Sequence, residues 1–271
     1  MPVNEKALPR FAFGANWTRF LESLNDAKIA TAENSLKSWL NVSTLDGKTF
    51  LDIGSGSGLF SLAARRLGAT VRSFDFDPNS VKCAVWLREQ YFKEDPRWII
   101  EQGSVLDEAF MRSLGTFDVV YAWGVLHHTG AMWQAIAHAA NAVASQGQLF
   151  IAIYNDQGWK SWVWKTIKRT YNFLPGPLRF LVVLPCLVLL KGLPFLQDLI
   201  LGHPFRSWKK QTEQRGMSPW SDLIDWVGGY PFEVATAVEI LQFLSQRSLT
   251  PERFSDYGSS ACNEFVFKRT A

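Results

Sequence analysis

The chain carries the sequence FLDIGSGSG at residues 50–58, an apolar run that ends in an acid and three glycines at alternate positions. Such a run predicts a buried strand that leads into a tight turn, because glycine adopts the positive φ angles that the turn requires. A helix that begins at Gly58 would direct its free backbone N–H groups at a ligand. The stretch therefore predicts a nucleotide-binding loop.

The spacing of the glycines separates two kinds of nucleotide site. The NAD fingerprint is G-x-G-x-x-G, in which the third glycine comes one residue later than Gly58 does here. The pattern Gly54-x-Gly56-x-Gly58 favours a methyl-donor site over an NAD site. An incidental glycine turn is the remaining alternative.

The chain around this loop alternates strand and helix patterns. Predicted strands cover Thr49–Ile53, Thr70–Asp75, Trp98–Gln102, Phe117–Trp123 and Gln148–Tyr154, and predicted helices cover Leu59–Leu67, Pro78–Tyr91, Glu108–Leu114 and Ala131–Ala144. Strands that are apolar on both faces predict a parallel α/β sheet with helices on both sides and right-handed connections.

The two ends of the chain extend this core. Residues 11–47 are predicted to form a helical lead-in, Val234–Gln246 a helix, and Glu252–Tyr257 and Asn263–Lys268 two strands. The short loop between the last two strands permits a hairpin, so the final strand should run antiparallel to its neighbour.

Residues 158–231 do not follow the alternating pattern and hold six of the twelve tryptophans. We interpret them as a helical lobe inserted after strand five, at the edge where α/β sheets bind ligands. The predicted organisation is a lead-in and donor-binding core at 1–157, the substrate or membrane lobe at 158–231, and a helix with strands that complete the core at 232–271.

The composition indicates the size of the core, the cellular compartment and whether a metal site is expected. The 271 residues are 47% hydrophobic, enough for one main core. Three scattered cysteines suggest neither disulfides nor zinc, and no apolar leader is evident at the N-terminus, so we expect a cytoplasmic protein. The four histidines lack metal-ligand spacing, which predicts a metal-independent protein.

Two acids follow the loop at positions that suit a nucleoside. Asp75 ends strand two about twenty residues after the glycines, where a ribose diol needs a carboxylate acceptor, whereas Asp77 is better placed to cap the next helix. After strand three, Val105 could stack on an adenine ring and Asp107 could accept from its amino group. Asp107 could equally be an ordinary helix cap.

Together with the stretch FDVVYAWGVLHH at residues 117–128, these residues resemble the class I S-adenosylmethionine-dependent methyltransferases, strongly over 45–156 and weakly in the C-terminal strands. The resemblance implies a Rossmann-like seven-stranded sheet of order 3-2-1-4-5-7-6 with strand seven antiparallel. It also implies S-adenosyl-L-methionine as the cofactor, held by Asp52, Gly54, Ser55, Gly56, Gly58, Asp75, Phe76, Val105, Asp107 and Trp123.

Within that family, the sequence LHH at 126–128 is similar to small-molecule enzymes, including the O- and C-methyltransferases of quinone biosynthesis. The Asn/Asp-Pro-Pro-Tyr signature of nucleobase and glutamine methylation is missing after strand four, and the lobe is longer than in typical quinone enzymes. The resemblance therefore implies O-methylation of a lipophilic or anionic small molecule. The alternatives are a sugar or polar natural product as acceptor, or a binding module without activity.

The acceptor should meet the donor beyond strand four. There His127 and His128 are candidate general bases, since a neutral imidazole can deprotonate a hydroxyl, although either could simply pack beside the donor or bond a backbone carbonyl. The predicted substrate contacts are Tyr154 and Asn155 after strand five, and Phe13, Asn16 and Trp17 in an aromatic segment that could form a lid or plug the core edge.

The segment 178–201 is the second informative stretch. Between Arg179 and Lys191 lie eleven uncharged residues, a helix of about 16 Å against about 30 Å of bilayer core, and Pro185 and Pro194 should break it. We therefore expect no membrane span. Residues 160–215 hold ten Lys/Arg against two acids, in a chain of net charge +3. The segment is therefore a candidate for peripheral contact with an anionic membrane, and a buried helical hairpin or a dimer contact is the equal alternative.

Other partners follow from what the sequence lacks. The basic residues stand among long aliphatics and no nucleic-acid-binding motif accompanies them, so we expect no nucleic-acid partner. We expect a monomer or a homodimer that acts on a small-molecule substrate.

Overall fold

The computed structural model of the chain describes residues 11, 14–206, 219–256, 258 and 262–270. Its centre is a seven-stranded sheet of order β3-β2-β1-β4-β5-β7-β6, which confirms the predicted order. β1 to β5 are mutually parallel, and β7 runs antiparallel to both β5 and β6. The strands are β1 Thr49–Ile53, β2 Thr70–Asp75, β3 Trp98–Gln102, β4 Phe117–Trp123, β5 Val143–Tyr154, β6 Leu249–Ser255 and β7 Cys262–Arg269.

Helices cover both faces of the sheet and bury a core on each. One core joins the sheet to α2, α3 and α4, and the other joins it to α5, α6 and α10. The helices are α1 Gly14–Glu22, α2 Asp26–Leu40, α3 Leu59–Arg66, α4 Pro78–Tyr91, α5 Glu108–Leu114, α6 Met132–Asn141, α7 Trp159–Phe173, α8 Phe180–Ile200, α9 Pro219–Gly228 and α10 Ala237–Ser245.

The boundary between α6 and β5 differs from the prediction. The helix predicted to reach Ala144 ends at Asn141, and the strand begins at Val143 rather than at Gln148. Val143 pairs with Phe117 and is buried, so sheet pairing at this position outweighs the helical preference of the preceding alanines. The alanine-rich pattern did not reveal this competing tertiary contact.

Two C-terminal boundaries also differ. α10 begins at Ala237 instead of Val234 because Thr236 and Glu239 form a capping box that sets the start of the helix. β6 begins at Leu249 instead of Glu252 and ends at Ser255, pairing Leu249 with Arg269 of β7. The predicted antiparallel pairing of the last two strands is confirmed.

The helices α7, α8 and α9 pack on one another around a small apolar cluster of Tyr171, Val183, Cys186, Leu223 and Val227. The chain leaves the sheet after β5 and returns beside it, where Asn155 forms a parallel bridge with Ala235. We call the segment between these two residues the lobe. The lobe therefore lies next to the carboxyl end of β5.

The expectation that proline interrupts the apolar segment is wrong. α8 runs through Pro185 and Pro194 as one helix of 21 residues, about 31 Å long at 1.5 Å per residue. Among the residues described, the stretch Gly176–Ile200 is long and apolar enough to cross a membrane by length and composition alone. One face packs in the lobe through Val183 and Cys186, while the outer face is exposed.

Candidate functional site

Residues 54–58, which we call the glycine loop, lie at the carboxyl end of β1, between that strand and α3. Gly54 and Gly56 have φ of +69° and +55°, in the left-handed region that favours glycine. A Cβ on Gly54 would lie 2.4 Å from Cγ1 of Val125, and one on Gly56 would lie 2.9 Å from Cε2 of Trp17. Both the conformation and the close neighbours therefore demand glycine at these positions.

Asp75 fixes the shape of this loop from the end of β2. Its Oδ2 accepts a 2.9 Å hydrogen bond from the backbone N–H of Gly56, and its Oδ1 accepts a 2.8 Å bond from that of Asp77. Burial raises the pKa of Asp75 to about 6, against the lowering effect of these two N–H groups. The carboxyl group lies where the sequence predicts a ribose acceptor.

Asp52 lies beneath the loop and is buried. Its Oδ2 accepts a 2.5 Å hydrogen bond from the Ser61 hydroxyl of α3. Burial raises its pKa to about 7, and the negative charge of Asp75 adds to the shift while Ser61 opposes it. Above it, the buried hydroxyl of Ser55 makes no hydrogen bond within the described part of the chain, so the loop offers an unused polar group to a ligand.

Both predicted caps are present. Asp77 caps α4 by accepting from Asn79 N–H at 2.8 Å, and Asp107 caps α5 by accepting from Phe110 N–H at 3.0 Å. Val105 is buried in the core beside α5, and Phe76 is 46% exposed at the end of β2. The adenine contacts of Val105, Asp107 and Phe76 remain predictions.

Trp123 ends β4 close to the glycine loop and is 44% exposed. Its indole Nε1–H donates a 2.7 Å hydrogen bond to Oε1 of Glu264 on β7. This bond holds the indole at the carboxyl edge of the sheet. Its contact with a cofactor remains a prediction.

The two histidines occupy a short 3₁₀ turn, Leu126–His128, after β4, and the ring of Tyr154 lies 4.1 Å from that of His127. Nδ1 of His128 is 2.7 Å from the carbonyl oxygen of Pro231 and therefore donates to it. Burial lowers the pKa of His128 to about 3 and that of His127 well below its usual value. Both rings are thus neutral at pH 7, and imidazoles of such low pKa are weak general bases.

Lys168 of α7 is a residue that the sequence reasoning missed. It is buried, and its ammonium donates to the carbonyl oxygen of Trp226 within a cage of aromatic rings. The ring centroids of Trp226, Phe232 and Tyr154 lie 4.5, 4.9 and 6.0 Å from Nζ. The sequence did contain a sign of this burial: Trp164, Lys168 and Tyr171 recur at helical spacing, which places Lys168 on the apolar face of α7.

The segment around α1 links the lobe to the glycine loop. Phe11 N–H donates to the carbonyl oxygen of Tyr230 at 3.0 Å, and Gly14 N–H donates to Oδ2 of Asp77 at 3.0 Å. Between these anchors and α2, the Trp17 indole lies against Gly56. Two of the predicted substrate contacts, Phe13 and the side chain of Asn16, lie outside the described residues.

Comparison with known proteins identifies a methyltransferase domain in this chain. A family model described as a methyltransferase domain matches residues 19–181. The chain is 28% identical over 143 residues to a ubiquinone biosynthesis O-methyltransferase of Idiomarina loihiensis, covering 53% of this chain and 54% of that protein. The chain thus spans about half the length of the curated relatives it matches.

Solved structures share the fold at low sequence identity. A magnesium protoporphyrin IX methyltransferase of Synechocystis with bound SAH superposes with a TM-score of 0.54 at 14% identity, covering 89% of this chain and 83% of that one. An O-methyltransferase family protein of Burkholderia thailandensis has a TM-score of 0.55 at 15% identity, with 91% and 58% coverage. These likenesses establish the fold.

Proposed function

This chain belongs to the class I S-adenosylmethionine-dependent methyltransferases, and we propose that it methylates an oxygen atom of a lipophilic or anionic small molecule. The observation that carries the donor half of this proposal is the glycine loop bonded to Asp75 through Gly56. The choice of oxygen is supported by the similarity to ubiquinone biosynthesis O-methyltransferases.

The residues present fit the family's cofactor. The loop has positive-φ glycines and a buried Ser55 hydroxyl that has no hydrogen-bond partner among the described residues, and the Asp75 carboxylate stands at its rim. We assign the loop to the methionine part, Asp75 to the ribose hydroxyls, and Val105 with Asp107 to the adenine. When bound, S-adenosylmethionine supplies a methyl group activated by its sulfonium.

The protein's own contribution is to orient an acceptor and exclude water, because in-line transfer depends mainly on position. Trp17 covers the glycine loop, and the lobe covers the end of β5 beside Tyr154 and Asn155. Neutral His127 and His128 pack against Tyr154 at the end of β5. We assign them to packing and hydrogen bonding rather than to removal of a proton, because their pKa values are low.

Two other functions stay testable. In one, the acceptor is a sugar or polar natural product and the lobe is a lid in solution. In the other, the chain binds the donor without turning it over. The aromatic rings of Trp226 and Phe232, which pack against that of Tyr154, favour a flat, less polar acceptor than a sugar.

The activity is tested by methyl transfer from labelled S-adenosylmethionine into metabolites of a cell extract. The proposal expects label in an organic-solvent-soluble product whose new methyl group is bonded to oxygen. Asp75→Ala should abolish this label, whereas Asp26→Asn, an exposed carboxyl on α2, should not. Label confined to polar sugars would support the second function, and no label from a protein that binds the donor would support the third.

We also propose that the outer face of α8 lies on an anionic membrane surface from the cytoplasmic side. Leu181, Leu184, Val188, Leu189, Leu193, Leu196 and Ile200 are 49–81% exposed along this helix. An apolar surface of this extent is unusual for a soluble monomer, and Arg179 and Arg206 flank it. Since the opposite face packs in the lobe, an orientation in the plane of the membrane suits the helix better than a span.

Flotation with phosphatidylserine-containing vesicles tests this contact. Wild-type protein should float, and Val188→Asp with Leu189→Asp should prevent flotation, because burying two carboxylates in the interface is costly. Val238→Asp is the matched control, since Val238 is 59% exposed on α10. Failure to float, together with a homodimer that the double variant dissociates, would instead assign the face to a second copy of the chain.

A further inference from the structure

A buried cluster at the junction of the lobe and the sheet has more hydrogen-bond donors than acceptors. It consists of Lys168 of α7, Trp226 of α9, His127 after β4 and Tyr154 of β5, and we call it the Lys168 cluster. Tyr154 is its centre: its ring lies 4.1 Å from that of His127, 5.7 Å from that of Trp226 and 6.0 Å from Nζ of Lys168.

Several donors in this cluster lack a partner within the described part of the chain. An ammonium has three N–H groups, and Lys168 has one hydrogen-bond acceptor there, the carbonyl oxygen of Trp226. The buried indole Nε1 of Trp226 has none. Neutral His127 adds one N–H donor and one acceptor nitrogen, and neither has a hydrogen bond of good geometry there, although the carbonyl of Ala152 acts weakly on the ring.

Buried polar groups without partners are costly, and in native proteins they mark a site that something else completes. The excess here is of N–H donors, so the missing group is an acceptor, and oxygen is the natural choice. The walls are aromatic: Trp226 and Phe232 enclose Nζ at 4.5 and 4.9 Å. The complement of such a site is a flat, apolar molecule that carries an acidic oxygen.

The buried environment of Lys168 allows its amine to exchange a proton near neutral pH. Burial lowers the pKa of Lys168 to about 7, and Asp225 opposes this shift, with smaller contributions from Cys186 and Cys262. His127 and His128 face the same space and are neutral at pH 7, so they neither hold nor repel the proton strongly. An amine of this kind matches the acidity of a phenol or enol better than either histidine does.

We propose that the Lys168 cluster is the acceptor site and that Lys168 receives the proton of an acidic aromatic or enolic hydroxyl. The O–H bond of the bound hydroxyl breaks and the proton joins the neutral amine at Nζ, which leaves an ammonium paired with the oxyanion. The Nε1–H of Trp226 supplies a second bond to the oxygen. Displacement of Trp226 and Phe232, which cover Nζ, would admit the ligand.

This inference rests on the proposed function, because it names the acceptor class of the same site. Its test uses 4-nitrophenol, a flat phenol whose ionised form absorbs visible light and whose neutral form does not. The probe is titrated with the full chain in the presence of S-adenosylhomocysteine, at several pH values. Wild-type protein should bind it and increase its ionised fraction relative to free probe at the same pH.

Lys168→Met should weaken binding of the probe roughly tenfold or more and remove the excess ionisation, since a charge-assisted hydrogen bond is lost. Lys160→Gln, which changes an exposed lysine at the start of the same helix, should leave both unchanged. Trp226→Phe keeps an aromatic ring and removes one hydrogen-bond donor, so it should weaken binding of the probe severalfold. It is the variant to test if Lys168→Met does not fold.

The inference is overturned if wild-type protein does not bind the probe, or if Lys168→Met and Trp226→Phe bind and ionise it as wild type does. Calorimetry with S-adenosylhomocysteine on the same samples separates this failure from a larger one. If the chain binds S-adenosylhomocysteine but not the probe, the proposed methyl-donor site stands and the proposed acceptor class is wrong. A chain that binds neither contradicts the proposed function itself.

Discussion

The backbone N–H of Gly56 donates a 2.9 Å hydrogen bond to Oδ2 of Asp75, so the glycine loop after β1 and the acid that ends β2 form one unit. A change in either partner should therefore alter the other. Oδ1 of Asp75 also accepts a hydrogen bond from the backbone N–H of Asp77, and Oδ2 of Asp77 accepts one from the backbone N–H of Gly14 at the start of α1. The glycine loop and the start of α1 are thus connected through Asp75 and Asp77.

We expect donor affinity to fall in acid because of Asp75. Burial raises its pKa to about 6, and only the ionised carboxylate accepts from both ribose hydroxyls. Affinity for S-adenosylhomocysteine should be full above that pH and decrease by up to about tenfold per pH unit below it. Calorimetry from pH 5 to 8 measures this, and Asp75→Asn should bind weakly with a flatter profile. A wild-type affinity independent of pH would contradict the assignment.

Gly56→Ala should destabilise the protein and impair donor binding. Positive φ costs a non-glycine residue about 1–2 kcal/mol, and the new methyl group would also press on Trp17, which adds about 1–3 kcal/mol of overpacking. Gly47→Ala is the control, since Gly47 has a φ of +72° but open space around its Cα.

Denaturant unfolding should rank Gly56→Ala below Gly47→Ala, and adding Trp17→Ala should recover part of the difference. Equal losses in the two alanine variants would mean that Trp17 does not cover the loop.

Asp52→Asn should change the pH dependence of stability. The native carboxyl has a pKa of about 7, whereas the unfolded one ionises near 4, so the folded protein binds an extra proton between these values. Through Asp52, the stability of the wild type falls by a few kcal/mol as pH rises from about 4 to 7, and Asp52→Asn should remove this part of the fall while leaving the part due to Asp75.

Asp118→Asn provides the opposite trend for comparison. Burial alone would raise the pKa of Asp118, but hydrogen bonds from Thr49 and Lys48 outweigh it and lower the pKa. This variant should lose stability above about pH 4 and little below it. Thermal unfolding at pH 4, 6 and 8 measures both variants, and parallel profiles for the two would refute the assigned shifts.

Lys168→Met should stabilise the protein most at neutral and lower pH. The native amine has a pKa of about 7 against 10.5 for a free lysine, so the unfolded state binds an extra proton between pH 7 and 10.5. Wild-type stability rises across this range, and the methionine variant should gain a few kcal/mol at pH 6 that shrink toward pH 10. If Lys168 instead serves to hold the Trp226 carbonyl, the variant will be less stable at every pH.

The sequence predicted the sheet because the relevant signals are local. Strands such as Thr49–Ile53 and Phe117–Trp123 are short apolar runs between turn residues, and their bounds agree with the structure. The cap at Asp77 was likewise readable, since an acid directly before Pro78 suits the start of a helix, and Asp107 forms the cap that was one of its two predicted roles. The residues predicted to bind the methyl donor follow parallel strands, whose carboxyl ends meet at one edge of the sheet.

What the sequence did not reveal depends on contacts between distant segments. Pro185 and Pro194 predict a broken helix, yet α8 continues through both. Lys168 was counted with the basic residues of its segment, although the lobe buries it beside Trp226 and Tyr154. The two histidines stand after β4 as expected, but the sequence did not show the surroundings that lower their pKa values and so disfavour a general-base role.

The central claim is that the glycine loop and Asp75 bind the methyl donor, and calorimetry with S-adenosylhomocysteine tests it most directly. Wild-type protein should bind one equivalent at pH 7.5, Asp75→Ala should bind at least tenfold more weakly, and Asp26→Asn should bind as wild type does. A folded wild-type protein without detectable binding, or an Asp75→Ala variant with unchanged affinity, would contradict the account.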